Sequence, residues 1–226
     1  MKDSRQKIGV MGGTFNPIHF GHLRVAEEVR ERFGLEKVLF VPSGNPPLKT
    51  GDLADARHRY EMTRLAIRSN PFFALSDIEC RRGGKSYTVE TMAYLMEEHP
   101  EYEPYFILGI DSFLDMPHWR RPERLAELTN FVVVSRPGFL FSGLSSRIPV
   151  DGKTLAELDS CELDTYRTVL AGKREVSLTN VTPIGISATT TRALIREGMS
   201  IKYLLPETVE SYIIANKLYS EGSGHL

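Results

Sequence analysis

Cysteine is scarce. Cys80 and Cys161 are the only two in 226 residues, far apart and at no metal-ligand spacing, so the chain has no disulfide framework and no cysteine-built zinc centre to offer. Net charge is nearly absent too: 28 basic against 29 acidic residues leave −1, which gives no field to draw a polyanion, and no nucleic-acid partner is expected. Long apolar runs are missing. Segments such as Val38 to Val41 and Phe131 to Val134 fall far short of the roughly 20 residues that cross a bilayer, and Met1 to Lys7 is polar with no apolar signal region. A cytoplasmic chain with no membrane partner is expected. Repeats and low-complexity tracts are also lacking, whereas the length suffices to bury a substantial core without a staple.

The apolar residues that are present alternate in period. Lys7 to Met11 is a short strand-like run that meets Gly12 and Gly13, after which Leu23, Ala26, Val29 and Phe33 recur at helical spacing. Lys37 to Val41 follows at a distance that fits a parallel crossover, so the chain opens with a βαβ unit. The alternation continues with a helix that takes in Tyr60 to Ile67 and ends near Asn70-Pro71, a strand at Phe73 to Ser76, a helix from about Val89 to Glu98 and a strand at Tyr105 to Leu108. Pro122 to Leu128 predicts a helix, Phe131 to Ser135 a strand, Val181 to Ile186 a last strand, then helices from Thr190 to Glu197 and from Pro206 to Leu218. This pattern predicts an α/β fold, a doubly wound parallel sheet with helices on both faces. Residues 1–219 are expected to form one domain and 220–226 a polar tail. Between about 138 and 174 the pattern lapses into an excursion, loop-like at first, with a helix expected near Thr165 to Leu170.

Chemistry concentrates at two strand-to-helix junctions, where doubly wound sheets bind ligands. The first reads Gly12-Gly13-Thr14-Phe15-Asn16-Pro17-Ile18-His19-Phe20-Gly21-His22. Its glycines let the backbone approach a phosphate, and the N–H groups of the turn and the helix start favour an anion. His19 and His22, three residues apart where the helix begins, can face one ligand as donors. A plain tight turn, a capping His19 and a core His22 are the alternatives, and a zinc site lacks a third ligand. The second junction reads Ile186-Ser187-Ala188-Thr189-Thr190-Thr191-Arg192, whose hydroxyls, helix start and arginine again suit phosphates. An N-cap run with a solvated Arg192 is its alternative.

These stretches resemble the HxGH and ISSTxxR signatures of the nucleotidyltransferase superfamily. From about Ile8 to Tyr219 the chain resembles the bacterial nicotinate-nucleotide adenylyltransferases, with supporting segments at Asn45-Pro46-Pro47-Leu48-Lys49, Ser86-Tyr87-Thr88, Gly109-Ile110-Asp111-Ser112, Trp119, Arg136-Pro137-Gly138 and Leu205-Pro206-Glu207. The resemblance implies a Rossmann-like fold and transfer of the adenylyl group of ATP to nicotinate mononucleotide. It implies catalytic His19 and His22, ATP contacts from Gly12, Gly13, Thr14, Phe15, Asp111, Ser187, Thr189 and Arg192, and acceptor contacts from Asn45, Lys49, Thr88, Trp119, Arg120 and Arg136. Mg²⁺ would arrive mainly on the ATP phosphates, with no metal site built by the protein. Two positions depart from the family pattern: Leu48 stands where histidine is common, and Ala188 where a second serine is usual.

A sibling transferase with nicotinamide mononucleotide or pantetheine phosphate as acceptor is the nearest rival. Pantetheine-phosphate enzymes commonly carry threonine at the position of His19. A noncatalytic nucleotide sensor would be expected to lose His19 or His22, and both are present.

Overall fold

The computed structural model describes residues 5–47, 52–170 and 174–220. Seven strands, β1 (Gln6–Gly13), β2 (Lys37–Pro42), β3 (Phe73–Leu75), β4 (Tyr102–Gly109), β5 (Asn130–Val134), β6 (Thr165–Val169) and β7 (Glu175–Thr179), form one sheet in the order β3-β2-β1-β4-β5-β7-β6. The expected Rossmann-like α/β fold is what the chain adopts. Two compact units divide it: Met1–Gly12 with Val25–Val38 and Tyr87–Pro183, and Gly13–Arg24 with Leu39–Ser86 and Ile184–Leu226.

In the first unit β1, β4, β5 and β7 pair in parallel, and one register row runs Val10, Phe106, Phe131, Val176. These four side chains are at most 4% exposed. Phe131 also meets the edges of Phe106 at 6.4 Å and Phe113 at 5.9 Å. Strands buried on both faces read as unbroken apolar runs, which is why β5 was plain in the sequence. Each such side chain stabilises the fold by about 1.5–3 kcal/mol when taken from water. The helices α4 (Thr88–Glu98), α5 (Ile110–Asp115) and α6 (Pro122–Leu128) belong to this unit.

The excursion departs from expectation. Residues Thr165–Val169 form β6, antiparallel to β7, and not a helix. Thr165, Tyr166, Thr168 and Val169 are β-branched or aromatic and suit a pleated edge, and Thr165 Oγ1 lies 2.7 Å from Thr179 Oγ1 across the pair. The helix of this region is α7 (Gly152–Asp159) instead, capped where the Asp151 carboxylate accepts from the Thr154 N–H at 2.9 Å. Val181 to Ile186 is not a strand either; β7 ends at Thr179, and Pro183 removes a ladder donor from the segment that follows.

In the second unit α2 (Ala56–Ile67) buries Arg59, Met62, Thr63, Ala66 and Ile67, one stripe at helical spacing. It packs beside α9 (Glu207–Ala215), where His58 Nδ1 lies 2.9 Å from the Tyr212 hydroxyl and Thr208 Oγ1 donates to the Leu65 carbonyl at 3.3 Å. Phe40 of β2 lies between the rings of Phe15 and Phe73, at 5.9 and 5.0 Å.

Candidate active site

The turn after β1 leads into α1 (Phe20–Phe33). Gly13 is needed there because a Cβ would stand 2.8 Å from the Phe15 ring. Phe15 is buried with φ +47°, a left-handed conformation that a bulky residue keeps only where its surroundings enforce it. Its ring meets the His22 ring edge-on at 5.2 Å. Asn16 is buried and bonded on both ends of its amide: Nδ2 donates to the Asp52 carbonyl at 2.7 Å, while Oδ1 accepts from the Ala54 N–H at 3.1 Å and the Tyr219 hydroxyl at 2.7 Å.

The two histidines do come together. Their ring centroids lie 3.8 Å apart at a 31° tilt, with His19 buried and His22 half-buried. The His19 backbone N–H donates to His22 Nδ1 at 3.3 Å. A backbone N–H can only donate, so Nδ1 accepts, and the neutral His22 ring carries its proton on Nε2. The donor of the neutral ring is therefore Nε2–H. Among the described residues no group of three or more His, Cys, Asp or Glu is placed to hold a metal ion.

The second junction opens α8 (Ala188–Arg196), and Ser187 is its N-cap: Oγ accepts from the Thr190 N–H at 3.0 Å. The capping alternative is therefore part of the structure, and Ala188 is the first helical residue. Thr189 is exposed in the first turn. Arg192 is not a solvated side chain. Its Nη1 donates to the Asn16 carbonyl at 2.8 Å and its Nε to Asp52 Oδ2 at 2.8 Å, an oxygen that Arg196 also holds. The start of α1 lies close by, since a Cβ on Gly21 would be 3.7 Å from the Ile186 carbonyl. Two helix N-termini thus converge, joined by an arginine, an arrangement that attracts anions.

Beyond β2, Asn45 is exposed, and its backbone exchanges two hydrogen bonds with Ser86: its N–H donates to Ser86 Oγ at 3.1 Å, and its carbonyl accepts from the Ser86 N–H at 2.9 Å. Lys49 and Leu48 lie outside the described residues.

In the first unit, Asp111 and Arg136 form an ion pair at 2.6 Å. Asp111 Oδ1 is buried with no hydrogen-bond partner among the described residues. Thr88 is the first residue of α4, and Tyr87 holds the cap position without a side-chain bond, so Thr88 is not an N-cap. Arg120 reaches the same first turn, pairing with Glu90 at 3.1 Å and lying over the Tyr87 ring at 4.5 Å. Trp119 is half-buried rather than a core residue; its indole N–H donates to Asp115 at 3.2 Å and its ring meets Phe106 edge-on at 6.3 Å. Gly12 is exposed at the end of β1.

Residues 10–194 match the cytidylyltransferase-like family. A protein of Geotalea daltonii named "Probable nicotinate-nucleotide adenylyltransferase" is 45% identical over 96% of this chain and 99% of its own length. The chain belongs to the nicotinate-nucleotide adenylyltransferase family. A Pelobacter propionicus protein of the same name is 44% identical over 95% of this chain and 99% of its own. The fold is also that of the Plasmodium falciparum nicotinic acid mononucleotide adenylyltransferase solved with NaAD, with a TM-score of 0.72 and 21% identity over 95% of this chain and 97% of that one.

Sequence reasoning passed over four residues of this family member's second unit. Asp52 and Tyr219 lie in a loop and near the chain's end, and only tertiary contact links them to Asn16 and Arg192. Asn16 stood inside the glycine motif without a role. Arg59 did carry a signal, a charge on the apolar stripe of α2.

Proposed function

We propose that this chain transfers the adenylyl group of ATP to nicotinate mononucleotide, giving nicotinate adenine dinucleotide and pyrophosphate, a step of NAD biosynthesis in the cytoplasm. Residues 1–219 are read as the nucleotidyltransferase domain. The observation that carries this reading is the Arg192 bond to the Asn16 carbonyl, which ties the α8 start to the turn before α1. Family membership and close relatives of the same name over nearly the whole chain support it.

An oxygen of the acceptor's phosphate bonds to the α-phosphorus of ATP, the bond from that phosphorus to the α,β-bridging oxygen breaks, and the electron pair leaves on pyrophosphate. The attacking group is already an anion, so the protein must align two anions and neutralise developing charge, with no covalent intermediate. His19 and His22 serve the α-phosphate, His22 through the Nε2–H that its bonded Nδ1 dictates. Gly12, Gly13, Thr14 and Phe15 line the phosphate turn. Ser187, Thr189 and Arg192 take the outer phosphates; Arg192 uses Nε and Nη1 in the bonds above, and Nη2 takes part in neither. Asp111 holds the adenosine ribose, its buried Oδ1 being the acceptor. Asn45, Lys49, Thr88, Trp119, Arg120 and Arg136 form the acceptor side. ATP would carry Mg²⁺ as part of the substrate, and the hydroxyls and cations of this donor set would serve the phosphate oxygens rather than the metal.

Pyrophosphate release is measured with ATP, Mg²⁺ and, in turn, nicotinate mononucleotide, nicotinamide mononucleotide and pantetheine phosphate. Fast release with the first is expected. Release with pantetheine phosphate alone, or with none, overturns the reading.

A further inference from the structure

Arg59 is fully buried, yet among the described residues the four acceptors of its guanidinium are all backbone carbonyls. Nε donates to Ala54 at 2.9 Å, Nη1 to Thr14 at 2.9 Å and also to Ser43, and Nη2 to Gly44 at 2.9 Å. The base of the side chain is fixed. Its N–H donates to the carbonyl of Asp55, the N-cap of α2, at 3.1 Å, and its own carbonyl accepts from Thr63 Oγ1 at 2.8 Å. Burial pushes the Arg59 pKa down from its ordinary value while nearby Cys80, Tyr219, Asp55 and Glu79 push it back up. The guanidinium remains charged at any working pH.

Desolvating a charge is unfavourable unless its donors are matched, and here the match is to three separate stretches of chain. Thr14 belongs to the glycine turn proposed for the nucleotide phosphates. Ser43 and Gly44 immediately precede Asn45, proposed for the acceptor. One nitrogen, Nη1, bonds a carbonyl of each. The β2 exit has little freedom on its other side, because a Cβ on Gly44 would collide with the Glu79 carbonyl of α3 (Ile78–Arg81). In a trans peptide the carbonyl and the following N–H point to opposite sides, so holding the Thr14 carbonyl also sets the direction of the Phe15 N–H. Phe15 is the left-handed residue of that turn.

We infer that Arg59 is a positioning residue, a single guanidinium that fixes the nucleotide-side turn and the acceptor-side loop in one register for in-line transfer. The inference rests on the function proposed above. In-line attack is steep in geometry, and a displacement of about 1 Å can lower turnover about a hundredfold without abolishing binding. A planar fork fixes several carbonyls at once, whereas an ammonium concentrates its donors at one point.

The test uses Arg59→Lys and Arg59→Ala of the full chain, with Leu155→Ala, a buried residue of α7 in the first unit, as a control that softens a core without touching any partner of Arg59. Steady-state kinetics with ATP and nicotinate mononucleotide, melting temperatures and the response to millimolar methylguanidinium are read for each. Arg59→Lys is expected to lose about tenfold to a hundredfold in kcat with both KM values within about threefold of the parent. Arg59→Ala is expected to lose more and to regain kcat with methylguanidinium. Leu155→Ala should melt lower with parental kinetics and no such response. Should Arg59→Ala fail to fold, Arg59→Lys decides alone. A parental kcat in Arg59→Lys overturns the inference, as does an Arg59→Ala loss that ignores methylguanidinium and is matched by Leu155→Ala. A parent that releases no pyrophosphate overturns the transferase reading and this inference together.

Discussion

The turn around Asn16 and the first turn of α4 are both proposed to hold substrate, but they are built differently. Around Asn16 every polar group of the amide is bonded inside the protein, to Asp52, Ala54 and Tyr219, with Arg59 and Arg192 holding the adjoining carbonyls. At α4, by contrast, Thr88 is half-buried, and the Arg120–Glu90 pair that reaches it is 49% and 33% exposed. Donors that act on a transition state gain most from being fixed in advance in a dry setting, so the nucleotide side needs a bonded scaffold. Recognition of a ground-state acceptor tolerates looser support. Substitutions should therefore have graded effects, large in the first region and small in the second.

The largest effect is expected from His22→Ala, a loss of about a hundredfold to a thousandfold in kcat with smaller changes in KM, the usual consequence of removing one transition-state donor. Circular dichroism alongside steady-state kinetics checks that the variant folds. Arg192→Ala should raise the KM for ATP on the order of tenfold, because charge-assisted hydrogen bonds to the outer phosphates are lost. Calorimetric titration with AMP, which lacks those phosphates, should be nearly unchanged; an equal loss for both nucleotides would place Arg192 with the turn alone.

Tyr219→Phe removes one buried hydroxyl from Asn16. It should lower stability by about 1 kcal/mol, a fall of roughly 2–4 °C in melting temperature, and lower kcat by less than about tenfold. A large kinetic loss without a thermal one would make Tyr219 part of the chemistry. Arg120→Ala keeps the backbone N–H and removes only a solvent-screened pair, so efficiency with nicotinate mononucleotide should change by less than about threefold. If it drops as far as in Arg192→Ala, the contrast between the two regions fails.

Much of this architecture was legible because local chemistry and global fold agree. The unbroken apolar run of β5 and the proline-started α6 stand where the sequence places them, and His19 and His22 meet as their spacing predicts. Errors fell where a local pattern had two readings. Thr165 to Leu170 is short enough for either period, and its place at the sheet edge beside β7 decides for a strand. Val181, Ile184 and Ile186 make that segment apolar enough to suggest a strand, but Pro183 and Gly185 interrupt it, while the more polar Glu175–Thr179 gains a ladder on both sides. The helix α7 announced itself through Asp151, Thr154, Leu155 and Leu158 and was passed over. Asp52 and Tyr219 are different, since their roles exist only through partners 36 to 203 residues away.

The measurement that bears most directly on the account is kcat/KM for nicotinate mononucleotide and nicotinamide mononucleotide, taken side by side on the parent protein with ATP and Mg²⁺. The acceptors differ by a carboxylate against an amide, and a site of N–H and hydroxyl donors at a helix start should favour the anion, by about a hundredfold or more if those donors are desolvated. A strong preference for nicotinate mononucleotide is the predicted result; comparable efficiencies for the two would contradict it.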